Sequence, residues 1–485
     1  MNNQCFRKTN VRFRAACGVT LVELLVGMTI GLFLTGGIIA LLLGTKQSYR
    51  SNEALSEVQE NGRFATELLA QQLRMAGSLG CQRSLMLQTN SETKNLLMHN
   101  FETRPLRLYN TLALVSDPEP ASLTPTSSED VGYLWLYNLN GRPAVEGFEG
   151  QGTSFAASSS HPTNLPISTI LSALSLTEAE TDQDMVTIRG INGRGVPVIG
   201  QASPSVVGHT DGSLYVLGIE GDDDEYDDDD DCVFFRSTSN SAAISLCIGQ
   251  IEVVSTCQNA TIFQISDVNR NTPCDGVHEI KFQALSPSNE DFREPGNYDY
   301  RNGVNNNVDL GVLYSLETNP CPAPTGNARK ALITSAPASI YSLDTRMYYI
   351  RNNSENLPTL YVKEGLGNSE QLISGVFSLA MFYGDNVNAE GMSTREPSIG
   401  SYVEADQVAD WREINAVKLY MLAANTDPEL SNAVDEPMKI TFPDIDTAGN
   451  PFDATSLSAD FQRRFFQSFA TTVYLRNKLP FDPTP

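Results

Sequence analysis

The chain has 485 residues, a net charge of −25 and a sequence pI near 4.5. Such acidity excludes nucleic-acid binding through a Lys/Arg surface that tracks phosphates. At 41% hydrophobic and 8% aromatic the chain can bury a core, and the length beyond its first helix suffices for about two domains.

Residues 1–18 hold Arg7, Lys8, Arg12 and Arg14 and no acid. An apolar run of 25 residues, Val19–Leu43, follows, with Glu23 as its only charged side chain. A bilayer core takes about 20 apolar residues in a helix, and a basic flank stays on the cytoplasmic side, so the rest of the chain is expected outside the inner membrane. A carboxylate inside such a run is expensive and usually functional. The bland reading is an acid near a helix end that reaches the headgroup layer. Gly27, Gly31, Gly36, Gly37 and Gly44 fit close helix packing or simple tolerance of glycine in a bilayer.

From Gln47 to about Gly77 the chain turns polar but keeps helical period through Leu55, Val58, Ala65, Leu68, Leu69, Leu73 and Ala76. One helix is therefore expected from Val19 to about Met75, roughly 85 Å long, stopped by Gly77 and Gly80. Beyond Cys81 the pattern becomes short strands among turns. Strands are expected at Tyr133–Tyr137, Met185–Ile188, Leu214–Leu217, Val233–Phe235, Ile251–Val254 and Ala260–Phe263. The stretches 116–130, 150–168 and 285–330 read as loops. Met347–Ile350 and Thr359–Val362 read as a hairpin, with later strands at Ser378–Tyr383, Val417–Leu422 and Ala470–Leu475.

Of eight cysteines, Cys5 and Cys17 precede the apolar run. Cys81, Cys232, Cys247, Cys257, Cys274 and Cys321 follow it, and an even count outside the membrane favours disulfides over a metal. No C-x-x-C pair exists, and sequence alone does not choose among the pairings. Asp222–Asp231 holds acids at every position but Tyr226, which suits a solvated loop or, through residues such as Asp227 and Asp229, calcium. Asp267 and Asn269 begin like a calcium loop, but Thr272 and His278 stand where that loop needs a glycine and an acid. Calcium is the only cofactor these patterns suggest. No nucleophile elbow, zinc-protease helix or phosphate loop occurs, and His99, His161, His209 and His278 are scattered, so an enzyme is not expected.

Gly18-Val19-Thr20-Leu21-Val22-Glu23-Leu24-Leu25 resembles the class III leader of type IV prepilins and pseudopilins. The resemblance implies cleavage by a prepilin peptidase between Gly18 and Val19 and methylation of the new N-terminal Val19. It also implies an assembly contact from Glu23 to a neighbouring subunit's N-terminal amine. Val19 departs from the usual phenylalanine.

Phe64–Gly77 with Cys81, Asp184–Arg189, Cys257–Ile265, Leu372–Val376 with Phe382-Tyr383-Gly384, Arg412–Tyr420, and Arg463–Phe466 with Thr471–Asn477 resemble, in order, blocks of the PilW-type minor pilins. That resemblance implies an α+β, pilin-like fold. A long N-terminal helix, half membrane and half amphipathic, would lead into an antiparallel β-rich, disulfide-containing head with large insertions. The division would be a cleaved leader 1–18, a spine helix 19–77, a head 78–345 with acidic and loop insertions, and a PilW-like region 346–485.

Cys81 with Cys257 is the pair the family blocks suggest, leaving Cys232–Cys247 and Cys274–Cys321 as local staples. The function implied is initiation of pilus assembly with other minor pilins and the major pilin, at the filament tip and carrying an adhesin. The prepilin would wait in the inner membrane with its head in the periplasm, among the pilus assembly machinery. A pseudopilin of type II secretion is the nearest alternative, and a membrane-anchored periplasmic enzyme or binding protein the next.

Overall fold

The computed structural model describes residues 20–78 and most of 143–202, 212–217, 232–235, 244–269, 277–282, 338–385, 401–427 and 464–475, with short pieces at 107–113, 131–136, 296–297, 439–440 and 452–453.

Helix α1, Leu21–Met75, is followed by strands β1 (Arg107–Asn110), β2 (Leu112–Ala113), β3 (Val145–Gly150) and β4 (Phe155–Ala156). After helix α2 (Ile167–Ala173) come β5 (Met185–Ala202), β6 (Gly212–Leu217), β7 (Cys232–Phe235), β8 (Ile244–Cys247) and β9 (Ile251–Ser255). Next are β10 (Asn259–Gln264), β11 (Asp267–Asn269), β12 (Val277–Phe282) and β13 (Gly296–Asn297). The last third holds β14 (Ala338–Asn352), β15 (Pro358–Glu364), β16 (Ser369–Ser374), β17 (Val376–Asp385) and β18 (Tyr402–Val403). It ends with β19 (Ile414–Ala424), β20 (Lys439–Ile440), β21 (Phe452–Asp453) and β22 (Phe466–Tyr474).

A 12-stranded sheet runs β1-β10-β9-β14-β5-β6-β12-β11, with β15, β16, β3 and β4 branching from it. Only β1 against β10 is parallel in it. A second sheet of four strands, β18-β17-β19-β22, is antiparallel. Strand β14 holds β5 along one edge and, along the other, β9 first and then β15. The division expected between 345 and 346 therefore falls inside a single strand.

The expected hairpin forms, with Tyr348 opposite Val362 and Ile350 opposite Leu360. Both faces of β14 are covered. Tyr348 and Ile350 join Leu69, Leu73, Val362, Leu379, Met381 and Leu419 in the core under α1. Met347 and Tyr349 join Trp135, Phe148, Ile170 and Tyr361 on the other side. Double coverage explains why this strand reads as a continuous apolar run and not as an alternating one. A further core collects Val198, Val216, Val254, Phe263, Ile280 and Ile340 toward the far end of the larger sheet.

Four expectations change. Val131, Gly132, Trp135 and Leu136 are helical, so the strand expected over Tyr133–Tyr137 is not formed at Trp135 and Leu136, while Tyr133, Leu134 and Tyr137 lie outside the described residues. Val131 and Trp135 stand one helical turn apart, and both are buried in the core that holds Phe148 and Tyr349. Leu55 is 40% exposed, and the buried stripe of α1 instead passes through Ala54, Val58, Gly62, Ala65, Leu69 and Leu73. Helix α1 begins at Leu21, behind an N-cap at Thr20, and ends where Gly77 takes a φ of 70°. The loop 150–168 carries the short strand β4 and the start of α2.

Candidate functional site

The N-terminal end of α1 closes on itself. The Thr20 side chain accepts from the Glu23 amide at 3.3 Å, while the Glu23 carboxylate accepts from the Thr20 amide at 3.2 Å and from its hydroxyl at 3.1 Å. This is a capping box, which satisfies two otherwise free donors and sets a negative charge against the positive end of the helix dipole. Gly18 and Val19 lie outside the described residues.

Beyond the cap, α1 contains a window of mean hydropathy 2.2, none of it buried, long and apolar enough to cross a membrane. Phe33 is 85% exposed, and nothing lies within 4 Å of where side chains would stand at Gly27, Gly31, Gly36, Gly37 or Gly44. The hydroxyls of Thr29, Thr35 and Thr45 donate back to carbonyls of the preceding turn, so this stretch presents no unmet side-chain donor to an apolar medium.

The second half of α1 is bound to the sheets at several levels. Glu57 accepts from the Thr426 amide at 3.1 Å and hydroxyl at 2.6 Å. The Phe469 ring of β22 occupies the space beside Gly62 that a Cβ would fill. Gln72 accepts from Arg346 at 3.0 Å, whose guanidinium also meets Asp344 at 2.9 Å and Glu364 at 2.7 Å. Burial raises Asp344 to about 6 against the pull of Arg346. At the helix end, the Gly77 amide donates to the Arg189 carbonyl and the Ile191 amide to the Ser78 carbonyl, so the chain leaves α1 directly against β5.

Arg189 is fully buried and pairs at 2.8 Å with Glu146, which is equally buried. It also donates to the carbonyls of Pro143 and Trp135 and lies 5.1 Å from the Trp135 ring centre. Burial pulls Arg189 below the usual guanidinium value, and Glu146 opposes that pull. Nearby carboxylates join the two sheets. Asp184 accepts from the Gly150 amide at 3.2 Å and the Met381 amide at 2.7 Å, and Glu149 accepts from the Ala405 amide at 3.1 Å. Tyr383 is buried beside them, and desolvation, reinforced by Asp184, Glu149 and Glu146, raises its phenol well above the ordinary value.

Asp184, Arg189 and Tyr383 fall in segments that resemble the PilW type, but nothing in the sequence marks them as buried partners of Glu146 and Glu149, which lie in an otherwise apolar strand.

Cys232 and Cys247 form a disulfide that closes β7 onto β8. Cys81, Cys257, Cys274 and Cys321 lie outside the described residues, as do Asp227 and Asp229. Asp267 and Asn269 belong to strand β11, not to a ligand loop. Asp267 holds Lys281 at 2.5 Å, and the Asn269 amide donates to Glu279 at 3.1 Å. Among the described residues no group of three or more His, Cys, Asp and Glu side chains converges as a metal site.

No curated protein and no solved structure matches the chain. A family model does, over residues 347–477, from the middle of β14 to just past β22. Its description is Type IV Pilus-assembly protein W, so the region that grips the second half of α1 is similar to a pilus-assembly family.

Proposed function

We propose that the chain is a minor pilin of the type IV pilus. It would be stored in the inner membrane by α1 with its head in the periplasm, and would join other minor pilins and the major pilin to start a filament, at whose tip it stays. One observation carries this reading. A single helix is apolar and uncovered in its first half and bound in its second half to the segment that resembles a pilus-assembly family. Such a helix can exchange lipid for neighbouring helices without disturbing the head, because the contacts that hold the head begin only at about Ala54.

In this reading the leader is removed after Gly18, and Val19 becomes the methylated terminus. The intact mass of the protein purified from membranes tests it. A chain beginning at N-methylated Val19 is expected, and an intact Met1 overturns it. Deleting the gene separates the pilin from a secretion pseudopilin. Loss of surface pili with normal exoprotein secretion is expected, and the reverse result assigns the chain to secretion.

A further inference from the structure

The apolar run of α1 ends at Leu43, and Lys46, Tyr49 and Arg50 follow on the same unbroken helix. Spacings of three and four residues put these three side chains on one helical face. All three are exposed, Tyr49 at 69%, and among the described residues none of them makes a hydrogen bond or an ion pair. Glu53 stands three residues beyond Arg50 and forms no ion pair with it. Lys46 and Arg50 are the only cations between Arg14 and Arg63, and no acid occurs between Glu23 and Glu53. Positive charge is therefore confined, over this length, to the level where the apolar run gives way to polar sequence, in a chain of net charge −25.

Helix geometry places that level. The rise from Glu23 to Lys46 is about 35 Å, which is a hydrocarbon core of about 30 Å with a little interface beyond it. With the apolar run in a bilayer, Lys46 stands in the outer headgroup layer, and Tyr49 and Arg50 stand about one turn above it. Side chains on an α-helix lean toward its N-terminus, here back toward the lipid. The ammonium and guanidinium thereby reach the level of the phosphates, while the Tyr49 ring takes the place that amphipathic aromatics favour at a membrane surface. The buried stripe that holds the head begins only at Ala54, one turn beyond Arg50.

We propose that Lys46, Tyr49 and Arg50 form a site for the headgroup of an anionic phospholipid in the outer leaflet, which rests on the reading that α1 crosses the inner membrane. Charge selects this occupant. The guanidinium offers a two-pronged donor to a phosphate and the ammonium a point charge. A zwitterionic headgroup brings an ammonium of its own, which meets the two cations with like charge. The bound lipid fixes the depth at which the head waits.

The test uses the full chain in nanodiscs of phosphatidylcholine mixed with phosphatidylglycerol, with the photoreactive residue benzoylphenylalanine in place of the exposed Gln47. Lipids captured on that residue are identified by mass. A cation near an anionic surface raises binding about fivefold, so phosphatidylglycerol is expected to exceed its bilayer share among the captured lipids by about that factor or more. The chain as a whole is acidic and would deplete phosphatidylglycerol, so enrichment runs against the net charge. Lys46→Gln combined with Arg50→Gln is expected to remove the enrichment. Both positions are exposed and without partners, so the fold is not at stake. The cations before residue 19 lie at the other end of the apolar run and do not reach the probe.

Capture of the two lipids in their bilayer proportion overturns the proposal and leaves the membrane reading standing. Enrichment that persists in the glutamine variant overturns it equally. Capture of no lipid overturns both the proposal and the membrane reading.

Discussion

Phe469 fills the notch that Gly62 leaves in α1. A glycine in the middle of a helix weakens it by about 1 kcal/mol relative to alanine, so the residue at 62 is set by its neighbour and not by helix propensity. Gly62→Ala is expected to destabilise the chain by about 1–3 kcal/mol, because the added methyl runs into the Phe469 ring. Adding Phe469→Ala should recover part of that loss. Denaturant unfolding of the two single variants and the double variant measures the coupling.

Removing one partner of the Arg189–Glu146 pair leaves a buried charge without its counter-ion. Arg189→Met or Glu146→Gln is expected to cost about 3–5 kcal/mol. Replacing both by apolar residues of similar volume should cost clearly less than the sum. Unfolding midpoints of the three variants decide this.

Glu252 in β9 is 1% exposed, and its carboxylate accepts from the Ser342 hydroxyl at 3.3 Å. Burial raises it from 4.5 to about 8, which the hydroxyl only partly opposes. The folded value lies above the unfolded one. Its contribution to stability is therefore fully present below pH 4.5 and is lost as pH rises through about 8. Glu252→Gln should remove this decline and leave the variant more stable than wild type at pH 8 by roughly 4 kcal/mol. Thermal unfolding across pH 4–9 would follow it, and parallel pH profiles for the two proteins would count against it.

The Cys232–Cys247 bond closes a separation of 15 residues. In the chain-entropy model it contributes about 3 kcal/mol. Replacing both cysteines by serine is expected to lower stability by up to that amount and to speed proteolysis near β7 and β8 while leaving α1 docked. Limited proteolysis with mass mapping distinguishes this local loosening from global unfolding.

Glu23→Val removes the capping partner of Thr20 and the only charge of the apolar run. Insertion should be unaffected or improved, since a carboxylate costs about 2.5–3.5 kcal/mol on insertion scales. Under the pilin reading, incorporation into sheared pili should fall sharply. Normal incorporation removes the assembly role and leaves Glu23 as a helix cap.

The helix, the hairpin of β14 and β15, and most strand positions were legible because each rests on a local period. The buried stripe of α1 was misplaced at Leu55 because alanine and glycine, small enough for close packing, carry it at Ala54 and Gly62. Tyr133–Tyr137 misled because aromatic residues in an apolar run serve a buried helix as well as a strand. The Arg189–Glu146 and Asp184–Met381 contacts join residues 43 or more positions apart across separate elements, and no window along the chain brings them together.

The path of β14 bears on how such a head could enlarge. The material before residue 347 is woven into the sheet that the segment similar to the pilus-assembly family also uses, and is not hung from it as a bead on a tether. A tug on the helix passes through the Gly77–Arg189 link into β5 and from there across β14 to both parts at once. The two parts should then yield together under load, as one cooperative body.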